Sequence, residues 1–116
     1  MVTVYGIKNC DTCRKALKWL ESEGIEHEFH DFRKDGLDQN TVANWLNEIG
    51  IETLLNKRGT SWRQLSKTDK NKAESGNATS LLTESPTLIK RPVFDLGNAR
   101  MVGFSADVQE KIKADA

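Results

Sequence analysis

Apolar residues recur at a helical period early in the chain. Cys13, Ala16, Leu17 and Leu20 fall at i, i+3, i+4 and i+7, one face of a 3.6-residue helix, while Lys15, Lys18 and Glu21 point elsewhere. Ahead of that face, Val2-Thr3-Val4-Tyr5-Gly6 reads as a strand. Asp11 or Thr12 can cap the helix start, and Gly24 stands where a left-handed C-terminal residue is wanted. Residues 25–32 then read as a second strand. Strand, helix and strand in about 32 residues make a βαβ unit, with parallel pairing and a right-handed crossover.

The pattern changes in the middle of the chain. Asp38 is placed to cap a helix with Val42, Trp45, Leu46 and Ile49 on one face, ended by Gly50. Leu54-Leu55 is a short apolar step before Lys57-Arg58-Gly59, and Thr60 or Ser61 can cap a turn holding Trp62 and Leu65. Lys67 to Asn77 is almost wholly polar and predicts an exposed helix or loop, after which Leu81-Leu82 re-anchors the chain. Residues 34–85 read as a helical insertion within a single domain spanning 1–116, because so few apolar residues do not promise a separate core.

Sheet returns in the last third. Thr87-Leu88-Ile89 leads to a strand entered through Pro92, Gly97-Asn98 forms a turn, and Arg100 to Phe104 makes a further strand, so 93–104 is a hairpin. Ser105 caps a final helix through about Lys113. The order βαβ, helical insertion, ββα predicts an α/β, thioredoxin-like fold with an inserted helical subdomain. Cys10 and Cys13 then lie at the carboxyl end of the first strand, where open α/β sheets bind ligands. In such a fold the Arg91–Pro92 bond is expected to be cis and to face the thiols.

Composition adds exclusions. Lys plus Arg is 17 and Asp plus Glu is 17, so the formal charge is zero and gives no electrostatic case for direct nucleic-acid or membrane-surface binding. No apolar run approaches the roughly 18 residues of a membrane-spanning helix. The N-terminus lacks a signal-peptide layout, so a cytoplasmic home is expected. There a close Cys pair is more often catalytic, redox-sensing or metal-binding than a structural staple.

Cys10 and Cys13 are the only cysteines. A helix N-terminus lowers a thiol's pKa through its dipole and its unpaired N–H groups, and Arg14 and Lys15 add cations in the first turn. One sulfur can attack a disulfide or an electrophilic oxyanion and the other resolve the adduct, or the pair can store an oxidation state as a sensor. A rival pattern is zinc, since His27-x-x-His30 follows the cysteines. The histidine spacing is shorter than the usual three to five intervening residues. The histidines also fall on a strand, where positions three apart point to opposite faces. No metal is expected.

Four stretches carry a resemblance: Tyr5-Gly6-Ile7-Lys8-Asn9-Cys10-Asp11-Thr12, Asn56-x-Arg58-Gly59-Thr60-x-Trp62-Arg63, Ile89-Lys90-Arg91-Pro92 and Val102-Gly103-Phe104. Together they resemble the arsenate reductase-like (ArsC/Spx) family, nearest its YffB-type branch of proposed glutathione-dependent thiol reductases. The resemblance implies a thioredoxin-like core with an inserted helical subdomain and Cys10 as nucleophile. Arg91 and Arg58 would supply positive charge to an oxyanion or to the carboxylates of glutathione. The expected catalytic residues are thus Cys10, Cys13 and Arg91, and the expected substrate-binding residues are Asn9, Thr12, Arg58 and Pro92. No tightly bound cofactor is implied; glutathione is the expected co-substrate, with a thiol or disulfide compound as substrate.

Two departures shape the reading. Arsenate reductases of this kind use three arginines, and the position of the third reads Gly103 unless Arg100 substitutes, which counts against arsenate as substrate. Cys10-x-x-Cys13 followed by Arg14-Lys15-Ala16 resembles Spx, a redox-sensing regulator that binds the RNA polymerase α subunit. That resemblance implies a different partner, although Spx-type chains continue past the final helix.

Overall fold

The computed structural model describes residues 2–74 and 78–115, with Arg33 described for its backbone only. The predicted Lys67–Asn77 stretch therefore extends, at 75–77, outside the described residues. Strand β1 (Val2–Gly6) alternates buried and half-buried positions, and helix α1 (Asp11–Ser22) follows it. Strand β2 (His27–Asp31) runs straight into the short helix α2 (Phe32–Asp35). Five helices come next: α3 (Gln39–Glu48), α4 (Ile51–Leu54), α5 (Thr60–Arg63), α6 (Lys67–Glu74) and α7 (Ala78–Glu84). A 3-10 turn at Pro86–Leu88 precedes strands β3 (Val93–Asp95) and β4 (Arg100–Val102), and helix α8 (Ala106–Asp115) closes the order. This is the mixed α/β, thioredoxin-like order read from the sequence.

The chain divides into two compact units, one formed by residues up to 35 together with those from 91 onward, the other by residues 36–90. The first unit holds a four-stranded sheet in the order β2-β1-β3-β4. β1 pairs with β2 in parallel, in the register Val2 to His27, Val4 to Phe29 and Gly6 to Asp31. β1 pairs antiparallel with β3, and β3 antiparallel with β4. The hairpin turns at Gly97, whose φ of 91° suits glycine. It is tied by Gly97 N–H to Asp95 Oδ1 at 2.8 Å and by Leu96 N–H to Ala99 O at 2.9 Å.

Val2 and Val4 bury one face of β1 against Ala16 and Leu20 of α1, with Phe94 and Ile112 completing the core. The helical face read from the sequence is thus the buried face. Ser105 caps α8 as expected, its Oγ accepting the Val108 N–H at 3.3 Å, and the helix runs two residues past Lys113.

The second unit is helical. Val42 and Trp45 of α3 are buried, as are Leu54 and Leu55, Leu81 and Leu82 of α7, and Leu88 and Ile89. Two predicted details change. Thr87 and Leu88 belong to the 3-10 turn, because Pro86 fixes its own φ and starts a helical turn, so only Ile89 makes an extended bridge, to Leu55. Gly59, rather than Thr60 or Ser61, is the N-cap of α5, while Ser61 Oγ donates to Thr87 Oγ1 at 2.8 Å.

Candidate functional site

Beyond Gly6 the chain turns through Ile7, Lys8 and Asn9, and Cys10 N–H donates to Ile7 O at 3.2 Å. Cys10 keeps extended backbone (φ −98°, ψ 121°), while its carbonyl accepts the first helical bond, from Arg14 N–H at 3.0 Å. It is therefore the N-cap of α1. This corrects the expectation that Asp11 or Thr12 caps the helix: both already lie in its first turn, with helical backbone. Asp11 instead pairs with Arg14 Nη2 at 3.2 Å, both well exposed, which diverts one of the two first-turn cations from the thiol.

The two sulfurs are held in opposite states. Burial alone would raise the pKa of the half-buried Cys10 thiol. The Cys13 backbone N–H, the Cys13 thiol, the Arg91 charge and the Thr12 backbone N–H together outweigh it, so the net shift is downward. Cys13 is only 1% exposed, and burial pushes its thiol up to about 12. The Ile7 N–H and Arg91 favour its anion, but Cys10 opposes them both as hydrogen-bond partner and as charge. The surroundings favour the anion at Cys10 and the protonated thiol at Cys13.

Gly6 makes room for that neighbour. A Cβ placed on Gly6 would overlap the Cys13 sulfur, and it would also stand 3.7 Å from Phe29 Cε1. The sequence reading included Gly6 in a motif without giving it a role. Alternation along β1 was the available signal, since it aims position 6 at the face where α1 packs.

Arg91 lies two residues before β3, and the Arg91–Pro92 bond is cis as expected. Pro92 is fully buried, and its carbonyl accepts the Gly103 N–H at 2.9 Å. Because Arg91 favours the anion of both thiols, its charge reaches the pair. Arg91→Gln is expected to slow alkylation of Cys10 at neutral pH by roughly two- to fivefold, with Arg91→Lys recovering most of the loss. The check is a pH profile of iodoacetamide labelling.

Of the other expected residues, Thr12 joins the Cys10 environment through its backbone. Asn9 lines a cleft of about 540 Å3 that it shares with Cys13. Arg58 belongs to the second unit, where it is exposed. Its N–H donates to Asn56 Oδ1 at 3.2 Å and its carbonyl accepts from Arg63 Nη2 at 3.0 Å. Arg100 is engaged by Asp95 at 3.4 Å across the hairpin. His27 and His30 lie on β2 as read: His27 Nδ1 is 2.8 Å from Ile25 O, and the His30 ring sits 4.9 Å from that of Tyr5. Among the described residues, no helix is long and apolar enough to cross a membrane.

Comparison with known proteins places this geometry. The ArsC family model matches residues 5–112. An uncharacterized protein of Haemophilus influenzae is 50% identical over 105 residues, covering 90% of this chain and 92% of its own. The solved structure of a protein named YFFB superposes with a TM-score of 0.90 at 37% identity, covering 97% of this chain and 98% of the other. The global transcriptional regulator Spx of Lactiplantibacillus plantarum is 28% identical, over 92% of this chain and 82% of its own.

Proposed function

The chain belongs to the ArsC family, and on that premise we propose that it is a cytoplasmic thiol–disulfide reductase acting with glutathione. The observation that carries the reading is the opposite tuning of two sulfurs one helical turn apart. The Cys10 thiolate attacks one sulfur of a substrate disulfide, forms a mixed disulfide and expels the other sulfur as a thiolate. Cys13 then attacks Cys10, forming the internal disulfide and releasing the second substrate thiolate. The substrate gains two electrons and the protein loses two. Two glutathione molecules restore the protein dithiol and leave as oxidised glutathione. Arg91 favours the Cys10 anion before attack and stabilises the thiolate re-formed at that sulfur on reduction.

A second reading has its own support. The likeness to Spx extends over 92% of the chain, and it favours a redox switch whose Cys10–Cys13 disulfide alters docking on the RNA polymerase α subunit. Neither reading requires a tightly bound cofactor or direct contact with nucleic acid.

Oxidised glutathione separates the two. The wild-type protein is expected to pass through a glutathione adduct to the internal disulfide, and Cys13→Ser to retain the adduct at Cys10, both seen by intact mass and peptide mapping. If Cys13→Ser acquires no adduct, the reductase reading fails. An internal disulfide formed by peroxide that changes binding to purified α subunit would then support the switch.

A further inference from the structure

Cys13 must lose a proton to resolve the adduct, and its burial makes that loss unfavourable. We infer that the Asp31 carboxylate is the acceptor of that proton when Cys13 attacks the Cys10 mixed disulfide, an assignment that rests on the reductase reading above.

Strand register carries the inference. In the parallel pair, Gly6 lies beside Asp31 and Val4 beside Phe29. Side chains of a strand alternate between faces, so Phe29 and Asp31 project to the side shared by Val4 and by the missing Cβ of Gly6. That is the α1 side, and the space of the missing Cβ is where the Cys13 sulfur sits. Tyr5 and His30, one position back on each strand, meet on the opposite face. Asp31 and Cys13 also line the same cleft, of about 540 Å3. Its walls include the apolar Ile7, Leu17 and Phe29 alongside charged side chains.

The charged groups around this path come from several elements. Lys8 belongs to the β1–α1 loop, Arg14 to α1, and Lys34 and Asp35 to α2, all on the cleft; Cys10 and Arg91 act on Cys13 directly. Asp35 has a different task, because its Oδ2 accepts the Asp31 N–H at 3.2 Å. Once Cys10 is tied up in the mixed disulfide, its anion no longer opposes ionisation of Cys13. The step is then complete: the Cys13 proton moves to Asp31, the Cys13–Cys10 bond forms, the Cys10–substrate sulfur bond breaks, and the leaving thiolate takes its proton from solvent.

The test is single-turnover resolution of the glutathione adduct, followed by quenched mass analysis from pH 6 to about pH 10. Asp31→Asn is expected to resolve the adduct about 10- to 100-fold more slowly at pH 7, in the lower range of general-base effects. The deficit should shrink as pH rises and solvent base takes over. Asp31→Glu should recover part of the rate, and alkylation of Cys10 should change less than twofold in both variants. Resolution by Asp31→Asn at the wild-type rate overturns the inference, and so does a deficit that is constant with pH and accompanied by slowed Cys10 alkylation. Failure of Cys13→Ser to form any adduct instead overturns the reductase reading beneath it.

Discussion

In the wild-type protein Cys13 is expected to label with iodoacetamide about 100-fold more slowly at pH 7 than an unfolded cysteine, as read by peptide mapping. An ordinary thiol of pKa about 8.5 is roughly 3% thiolate at that pH. Cys13, held near 12, is thiolate in only about 1 part in 10⁵. That deficit of more than three orders of magnitude is partly offset, because a more basic thiolate is intrinsically more nucleophilic, by roughly 30-fold over such an interval. Near-complete burial slows the reaction further. In wild type, labelling should go to Cys10 first and should persist below the ordinary thiol range. Equal labelling of the two cysteines in the native protein would reverse the assignment of their roles.

The same tuning has a stability consequence of defined sign. A thiol whose folded pKa is raised contributes its full stabilisation below the unfolded value, here about 8.5. It loses that contribution progressively as pH climbs toward about 12, because the unfolded chain ionises Cys13 first. Cys13→Ala should therefore flatten the alkaline arm of the stability profile.

Phe94→Ala is expected to cost about 3–5 kcal/mol, the usual range for emptying an aromatic core site. Phe94 is fully buried on β3, in register with Val4 on one side and Met101 on the other, and its ring lies 6.2 Å from that of Phe104. The removed ring leaves a hole bounded by a central strand, and strands paired on both sides cannot close in to fill it. Thermal midpoints should fall by about 10–20 °C for a chain of this size. Since β3 begins two residues after Arg91, alkylation of Cys10 should lose part of its reactivity at low pH even while the protein remains folded. A midpoint loss below about 3 °C would show that the hairpin repacks.

What could be read from the sequence follows the range of the physics involved. The face of α1, the βαβ unit and the closing hairpin rest on local periodicity, and each is present. The caps were harder. Cys10 and Gly59 take N-cap positions that hydroxyl and carboxylate residues were expected to fill, because cap identity depends on where the preceding loop leaves the backbone. Residues 34–85 held too few apolar residues to promise a core of their own, yet Trp45 and paired leucines at 54–55 and 81–82 are buried there, since a few large residues suffice when several short helices share them. The placement of Cys10 and Cys13 at the start of α1 was legible from their spacing and from the strand-to-helix pattern around them. Asp31 was not, because its place beside Gly6 depends on a strand register that no local pattern states.

Gly6 has one consequence that belongs to genetics rather than to thiol chemistry. Every missense change at its codon adds a side chain, and the first atom of any side chain falls on the Cys13 sulfur. The position therefore has no neutral neighbours in mutational space. Variation there should be purged even where alanine elsewhere in a strand passes unnoticed, and a displaced Cys13 sulfur could arise without any change to a cysteine.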